Sequence, residues 1–280
     1  MFKYRMISFP IMVGVLTAIF FGGQIGEYLF LGVAVLASFL AAAELSNLAR
    51  RMNYDSYLIP VATACGAIAG LAAAGKLGLA AVQLLSYVGI LFGALLIALL
   101  LQLVLDKNNG VWRKILVSLV IFMAVNLVAL PLLFVWSYVT APLMLLYLIA
   151  VTKSMDTGGY IFGMLSARLL PGGNHKIMPK VSPKKSWEGT LGGLLFSVIA
   201  SLIFYWCGCG LFDSVTVYIV NGILLGWGSL AGDLTESALK RKADIKDSAN
   251  YIPGMGGVLD VIDSFIYNAL IFLVVILILK

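Results

Sequence analysis

The chain has 280 residues, 61% of them hydrophobic and only 11% charged, with a formal net charge of +6 at pH 7. Its mean hydropathy of +1.02 exceeds what a water-soluble fold is able to bury, which excludes an ordinary soluble domain and makes lipid the expected main solvent. Three cysteines, Cys65, Cys207 and Cys209, lie in or beside apolar runs; an odd count with a C-x-C pair fits neither a disulfide framework nor a usual zinc site, and reads as membrane packing.

Taken in chain order, apolar runs separated by turn residues predict about nine membrane helices, near 7–22, 27–47, 57–74, 78–105, 114–138, 141–169, 188–208, 214–236 and 264–279. The first reads as a retained span, because Ile7–Phe21 leads into a further apolar segment and not into a small-residue cleavage site. With this count the 19 Lys and Arg collect on one face, except Lys76 and Lys280 on the other and Lys153 inside a span. Cytoplasmic loops gather such charge, so the N-terminus is expected inside and the C-terminus outside. The expected fold is all-α: a single integral-membrane domain over 1–280, with hydrophobic helices in 1–138 and the catalytic helices and cytoplasmic loops in 139–280.

Two long loops, about 170–187 and 237–263, share the basic face, and acids stand among their cations. Carboxylates near hydrocarbon are costly and usually face a polar interior. Asp233 closes the eighth span, and helical spacing brings Glu236, Ser237 and Lys240 round to its face. Asp260 and Asp263 stand three apart just before the ninth span, where they also suit the N-terminal dipole of that helix. A set of carboxylates without a Cys/His cluster suits a hard divalent ion such as Mg²⁺, which takes one or two of them and completes its shell with phosphate and water.

Between the acids, Ile252–Pro253–Gly254–Met255–Gly256–Gly257–Val258 has the glycines that let backbone N–H groups approach a phosphate, with Lys240, Arg241 and Lys246 nearby as cations. The upstream loop adds Lys180, Lys184 and Lys185, which read equally as phosphate contacts or as solvated lysines, and two prolines that keep it from being helical throughout. The sole histidine, His175, has no partner visible in the sequence. Inside the sixth span, Lys153 and Asp156 are either a self-neutralising ion pair or the lining of a polar cavity.

The segment Ser237-x-Leu239-Lys240-Arg241-x4-Lys246-Asp247-x-Ala249-x2-Ile252-Pro253-x-Met255-Gly256-Gly257-Val258-x-Asp260-Val261-Ile262-Asp263 resembles, in unbroken spacing, the signature of the phosphatidate cytidylyltransferases (CDP-diacylglycerol synthases). Asp156-x-Gly158 and Lys180-Val181-Ser182-Pro183-Lys184-Lys185-Ser186-Trp187-Glu188-Gly189 resemble further family segments, while the N-terminal half is similar only in being hydrophobic. Two signature positions depart: Met255 stands where the family usually has His, and Val261 where it usually has Arg.

The resemblance implies CTP and phosphatidic acid as substrates, CDP-diacylglycerol and pyrophosphate as products, a Mg²⁺ cofactor, a homodimer in the cytoplasmic membrane and no nucleic-acid partner. On that reading Asp233, Asp260 and Asp263 hold the metal, with Ser237 and Lys240 as further catalytic candidates. Substrate contacts are expected from Lys153, Asp156, Lys180, Lys184, Lys185, Arg241, Lys246, Asp247, Gly256 and Gly257. The competing readings are a CTP-dependent transferase or kinase for another lipid, and an ion-coupled transporter using Lys153, Asp156 and Asp233; against the transporter, the polar groups crowd one face and not the midplane.

Overall fold

The computed structural model describes residues 2–57, 111–136, 141–171, 173–254 and 256–279. Numbered in chain order among these, the helices are α1 (Phe2–Phe21), α2 (Gly23–Arg51), α3 (Val111–Trp136), α4 (Ala141–Leu169), α5 (Trp187–Trp206), α6 (Val215–Lys242), α7 (Val258–Ile262) and α8 (Phe265–Leu279). The fold is mostly helical, as the apolar runs require. The predicted third and fourth spans, with Cys65, Lys76 and Lys107, lie outside the described residues, as does Met255. By length and composition, four described helices are able to cross a membrane: α2, Trp112–Trp136 of α3, α5 and α6; α1 and α8 offer shorter apolar stretches. The helix α4, which carries Lys153 and Asp156 near its middle, is not among those four.

A small amount of sheet departs from the all-α expectation. Residues 170–187 contain an antiparallel hairpin, β1 (Lys176–Met178) against β2 (Ser182–Ser186), with Lys176 opposite Ser186 and Met178 opposite Ser182. The prolines that argue against helix are accommodated here: Pro179 lies in the turn, and Pro183 is tolerated because a two-stranded sheet leaves each strand an unpaired edge.

The chain divides into two compact units, residues 1–137 with 242–261 and residues 138–241 with 262–280. In the first, α2 packs against both α1 and α3, and Phe30 stacks on Trp136 with ring centroids 4.1 Å apart. Arg50 and Arg51 complement the C-terminal dipole of α2, and Asn53, at φ +63°, turns the chain out of the helix. Arg113 then lies over the Tyr54 ring at 4.5 Å.

In the second unit α4 and α5 are closely apposed. A Cβ on Gly158 would stand 2.7 Å from the Phe196 side chain and 2.8 Å from the Gly192 carbonyl, so bare backbone is what brings the two helices to this distance. An aromatic cluster fills the middle, where Tyr147 stacks on Phe272 and meets Phe204, Phe212 and Tyr218 edge-on. Its hydroxyl shares a 2.7 Å hydrogen bond with Ser201, which meets the polar-group cost of burying a tyrosine. Asn268 on α8 donates to Thr152 on α4 and to the Leu225 carbonyl on α6, both at 2.9 Å. One side chain therefore fixes the register of three helices one turn from the polar site described next.

Candidate functional site

The second unit brings five charged side chains around one buried hydroxyl. Gly232 on α6 packs on the Asp263 backbone so closely that a Cβ there would overlap its carbonyl oxygen. That approach sets Asp233, the next residue on α6, beside the turn that precedes α8. Ser264 in this turn is fully buried, and its Oγ lies 2.9 Å from Asp263 Oδ1, 3.2 Å from Asp233 Oδ1 and 3.3 Å from Asp156 Oδ2. Lys153, one helical turn from Asp156 on α4, donates to the same Oγ at 3.1 Å and to Asp156 at 3.4 Å. Ser229 adds a 3.4 Å contact to the other oxygen of Asp156.

The second cation comes from the hairpin. Of the adjacent lysines on β2, Lys184 is exposed while Lys185 is half-buried and pairs with Asp233. The Asp233 side chain is 15% exposed and that of Lys185 29%, so this pair is only partly screened by water. Counting Asp156, Asp233 and Asp263 against Lys153 and Lys185, the ionised cluster keeps one negative charge in excess. Ser264 has a single hydroxyl proton to offer three carboxylates. Burial, and after it the charge of Asp233, accordingly pushes the Asp263 carboxyl up to about 7.

The glycine-rich segment belongs to the first unit and is built differently. Ile252 and Gly256 exchange backbone hydrogen bonds of 2.9 and 3.1 Å, closing a turn in which Gly254 (φ +78°) and Gly256 (φ +101°) occupy conformations that disfavour other residues. The amides that follow, which the sequence offers to phosphate, are taken by carboxylates: Gly257 N–H donates to Asp260 at 2.8 Å, Val258 N–H to Glu44 at 2.7 Å and Leu259 N–H to Glu44 at 2.9 Å. Asp260 also accepts from the Ser248 amide and hydroxyl, at 2.9 and 2.7 Å.

The remaining sequence-selected residues are dispersed. Lys240 pairs with Glu236 at 2.6 Å on α6, and Arg241 donates from Nε to the Val181 carbonyl at 3.4 Å. Ser237 is half-buried on α6; Lys180 is exposed in the hairpin turn, and Lys246 and Asp247 are exposed in the segment before the glycine turn. His175 does have a partner: its Nδ1 lies 2.6 Å from Glu188, whose carboxylate also accepts the His175 amide, which ties the hairpin base to the start of α5. Cys207 and Cys209 are free thiols. Ser264 and Gly232 were invisible as site residues because a serine and a glycine in an apolar run carry no charge signal. Glu44 did carry one, an acid near the end of the second apolar run.

The family model described as the cytidylyltransferase family matches residues 3–279. The chain belongs to the cytidylyltransferase family. It is 40% identical over 124 residues to a phosphatidate cytidylyltransferase of Haemophilus influenzae, covering 43% of this chain and 41% of that relative. It is 37% identical over 121 residues to a phosphatidate cytidylyltransferase of Bacillus subtilis, covering 43% of this chain and 42% of the relative. A similar match, 40% over 131 residues, covers 46% of this chain and 41% of the uncharacterized protein YnbB of Escherichia coli. The chain thus spans about two fifths of the length of these relatives. For a cytidylyltransferase-family chain, a cluster of acids and lysines gathered on one hydroxyl is the natural place to look for phosphate chemistry.

Proposed function

We propose that this chain is a CTP:phosphatidate cytidylyltransferase that makes CDP-diacylglycerol and pyrophosphate at the cytoplasmic face of the inner membrane, as a homodimer. The observation that carries the reading is the convergence of Asp156, Asp233 and Asp263 on Ser264 with Lys153 and Lys185 as counter-charges.

The donor set fits Mg²⁺. Among the described residues no three His, Cys, Asp or Glu side chains form a ready metal cage. Mg²⁺ does not need one, since it is commonly held by one or two carboxylates and completed by substrate phosphate and water. Asp233 and Asp263 would hold the ion, with Asp156 beside them; the ion, when bound, supplies charge screening for the transferring phosphoryl group. Asp260, expected at the metal as well, is engaged by Ser248 and Gly257, through which its carboxylate shapes the glycine turn.

In the reaction a phosphate oxygen of the lipid attacks the α-phosphorus of CTP in line; the new P–O bond forms as the bond to the bridging oxygen breaks, and pyrophosphate leaves with that electron pair. The nucleophile is already ionised near neutrality, so no general base is required. Lys185 and Lys153 exchange their carboxylate partners for phosphate oxygens and orient them, while Lys180, Lys184, Arg241 and Lys246 supply further positive charge for the triphosphate. Between turnovers Asp156 and Ser264 keep Lys153 positioned, and Asp233 keeps Lys185.

Purified protein given phosphatidic acid, Mg²⁺ and CTP labelled at the α- or the γ-phosphate should transfer the α-label to lipid and release the γ-label as pyrophosphate. Transfer of the γ-label to lipid would make the chain a kinase and overturn the proposal. Asp233→Asn should lower turnover by about 1,000-fold or more while the protein still inserts into the membrane. Wild-type turnover by that variant would remove Asp233 from the mechanism.

A further inference from the structure

Glu44 is the most completely enclosed acid described, with none of its surface exposed, and it lies on α2, more than 200 residues from the segment it touches. One carboxylate oxygen accepts from Val258 N–H; the other accepts from Leu259 N–H and lies 2.8 Å from the Ser248 hydroxyl. That hydroxyl is 2.7 Å from Asp260 as well, so one serine links the carboxylate of α2 to the carboxylate of the signature segment. Gly257 lacks a side chain at the one place where a Cβ would overlap both the Glu44 carboxylate and Ser248 Oγ.

These contacts span the loop from both ends. Ser248 opens it, Gly257, Val258 and Leu259 close it, and Glu44 together with Asp260 holds the two ends to each other. Without Glu44, the Val258 and Leu259 amides lose their acceptor at a largely buried position, and the closed turn keeps only the Asp260 contacts and the Ile252–Gly256 pair. An acid is required and not merely a polar residue. A carboxylate presents two acceptor oxygens to two backbone donors, whereas a glutamine would turn an NH₂ group toward one of them.

We propose that Glu44 is the positioning residue of the signature loop: it acts through Val258, Leu259 and Ser248 to fix residues 246–254 and 256–257 in the conformation that engages CTP. This rests on the cytidylyltransferase reading for its kinetic consequence, but not for its structural one.

The test uses the full-length protein in detergent, with Glu44→Gln and, as a second variant that keeps the charge while shortening the reach, Glu44→Asp. Two readouts separate the layers. Limited trypsin digestion should cut after Lys246 about tenfold faster in Glu44→Gln than in the parent chain, the weight of a charge-assisted hydrogen bond left unmade, while cleavage elsewhere is unchanged. In the lipid-transfer assay KM for CTP should rise about tenfold, KM for phosphatidic acid should stay the same, and Glu44→Asp should recover part of the loss.

Parent-like digestion and parent-like KM for CTP in Glu44→Gln would overturn the proposal. So would a loss shared equally between both substrates with general sensitivity to trypsin, since that is the mark of a merely structural acid. If the parent chain transfers nothing from CTP, the activity reading fails by itself; the digestion pattern still decides whether Glu44 holds the loop.

Discussion

Each of the two units encloses a group of carboxylates, and the balance between backbone and side-chain donors differs between the groups. In the first unit Glu44 and Asp260 accept from backbone amides at Ser248, Gly257, Val258 and Leu259, donors that cannot withdraw unless the loop itself opens. In the second, Asp156, Asp233 and Asp263 rely mainly on two lysine ammonium groups and the Ser229 and Ser264 hydroxyls, with the Ser264 amide as a backbone donor to Asp263. Those side chains swing away by rotamer changes alone. On the proposed function, the difference teaches that burial alone does not separate an acid that shapes a loop from one that meets substrate. What separates them is whether the partner is free to leave, because a group able to trade its partner is able to receive a substrate.

Lys185→Met tests that contrast most severely. The substitution preserves bulk and removes the cation paired with Asp233, at a site where both side chains are largely shielded. If the second group works by exchange, kcat/KM should fall by about 100-fold, the scale of losing one partner of a half-buried ion pair. Helical content, read by circular dichroism, should stay at the parent level. Unimpaired transfer by Lys185→Met would mean that the lysine is as fixed a partner as a backbone amide, and the contrast between the units would collapse.

Gly257→Ala probes the other side. Its new methyl group would press on the Glu44 carboxylate and the Ser248 hydroxyl, and neither is a loose chain end, since both are held by further hydrogen bonds. Overpacking of this kind costs about 2 kcal/mol. The expected outcome is a lower unfolding midpoint in a thermal or denaturant melt, together with earlier cleavage in the loop. An unchanged melt would show that the first group yields easily, which is the behaviour assigned to the second.

Much of this arrangement is legible in the amino-acid sequence, because hydrophobic length and charge are one-dimensional signals. The starts of α4, α5 and α8 fall within a residue of the positions that apolar runs indicate, and Asp233, Asp263, Lys153, Asp156 and Lys185 stand out as charges bordering hydrocarbon. What the sequence conceals is pairing. Asp260 and Asp263 share a helical face in the spacing, yet the chain turns at 263–264, and each carboxylate finds its own set of neighbours. Likewise Glu236 and Ser237 appear on the face of Asp233, but Lys240 is taken up by Glu236 and the cation for Asp233 arrives from a strand 48 residues earlier. Ser264 and Gly232 contribute a proton and an absent Cβ, neither of which leaves a mark in composition or periodicity.

The smallest effect is expected where exposure and pairing alone distinguish two neighbouring lysines. Lys184 and Lys185 are chemically identical and adjacent, and the family-like segment offers no reason to rank them. On β2 Lys184 is exposed to solvent, while Lys185 is half-buried and pairs with Asp233. An exposed ammonium attracts a triphosphate only through screened electrostatics, so Lys184→Ala should raise KM for CTP about threefold, and that increment should shrink in high salt. Lys185→Met should keep its full penalty at the same ionic strength, because its partner is sheltered from counter-ions. Equal losses and equal salt responses from the two substitutions would mean that the hairpin presents both lysines alike, and would remove the geometric reason for placing only one of them at the reacting phosphates.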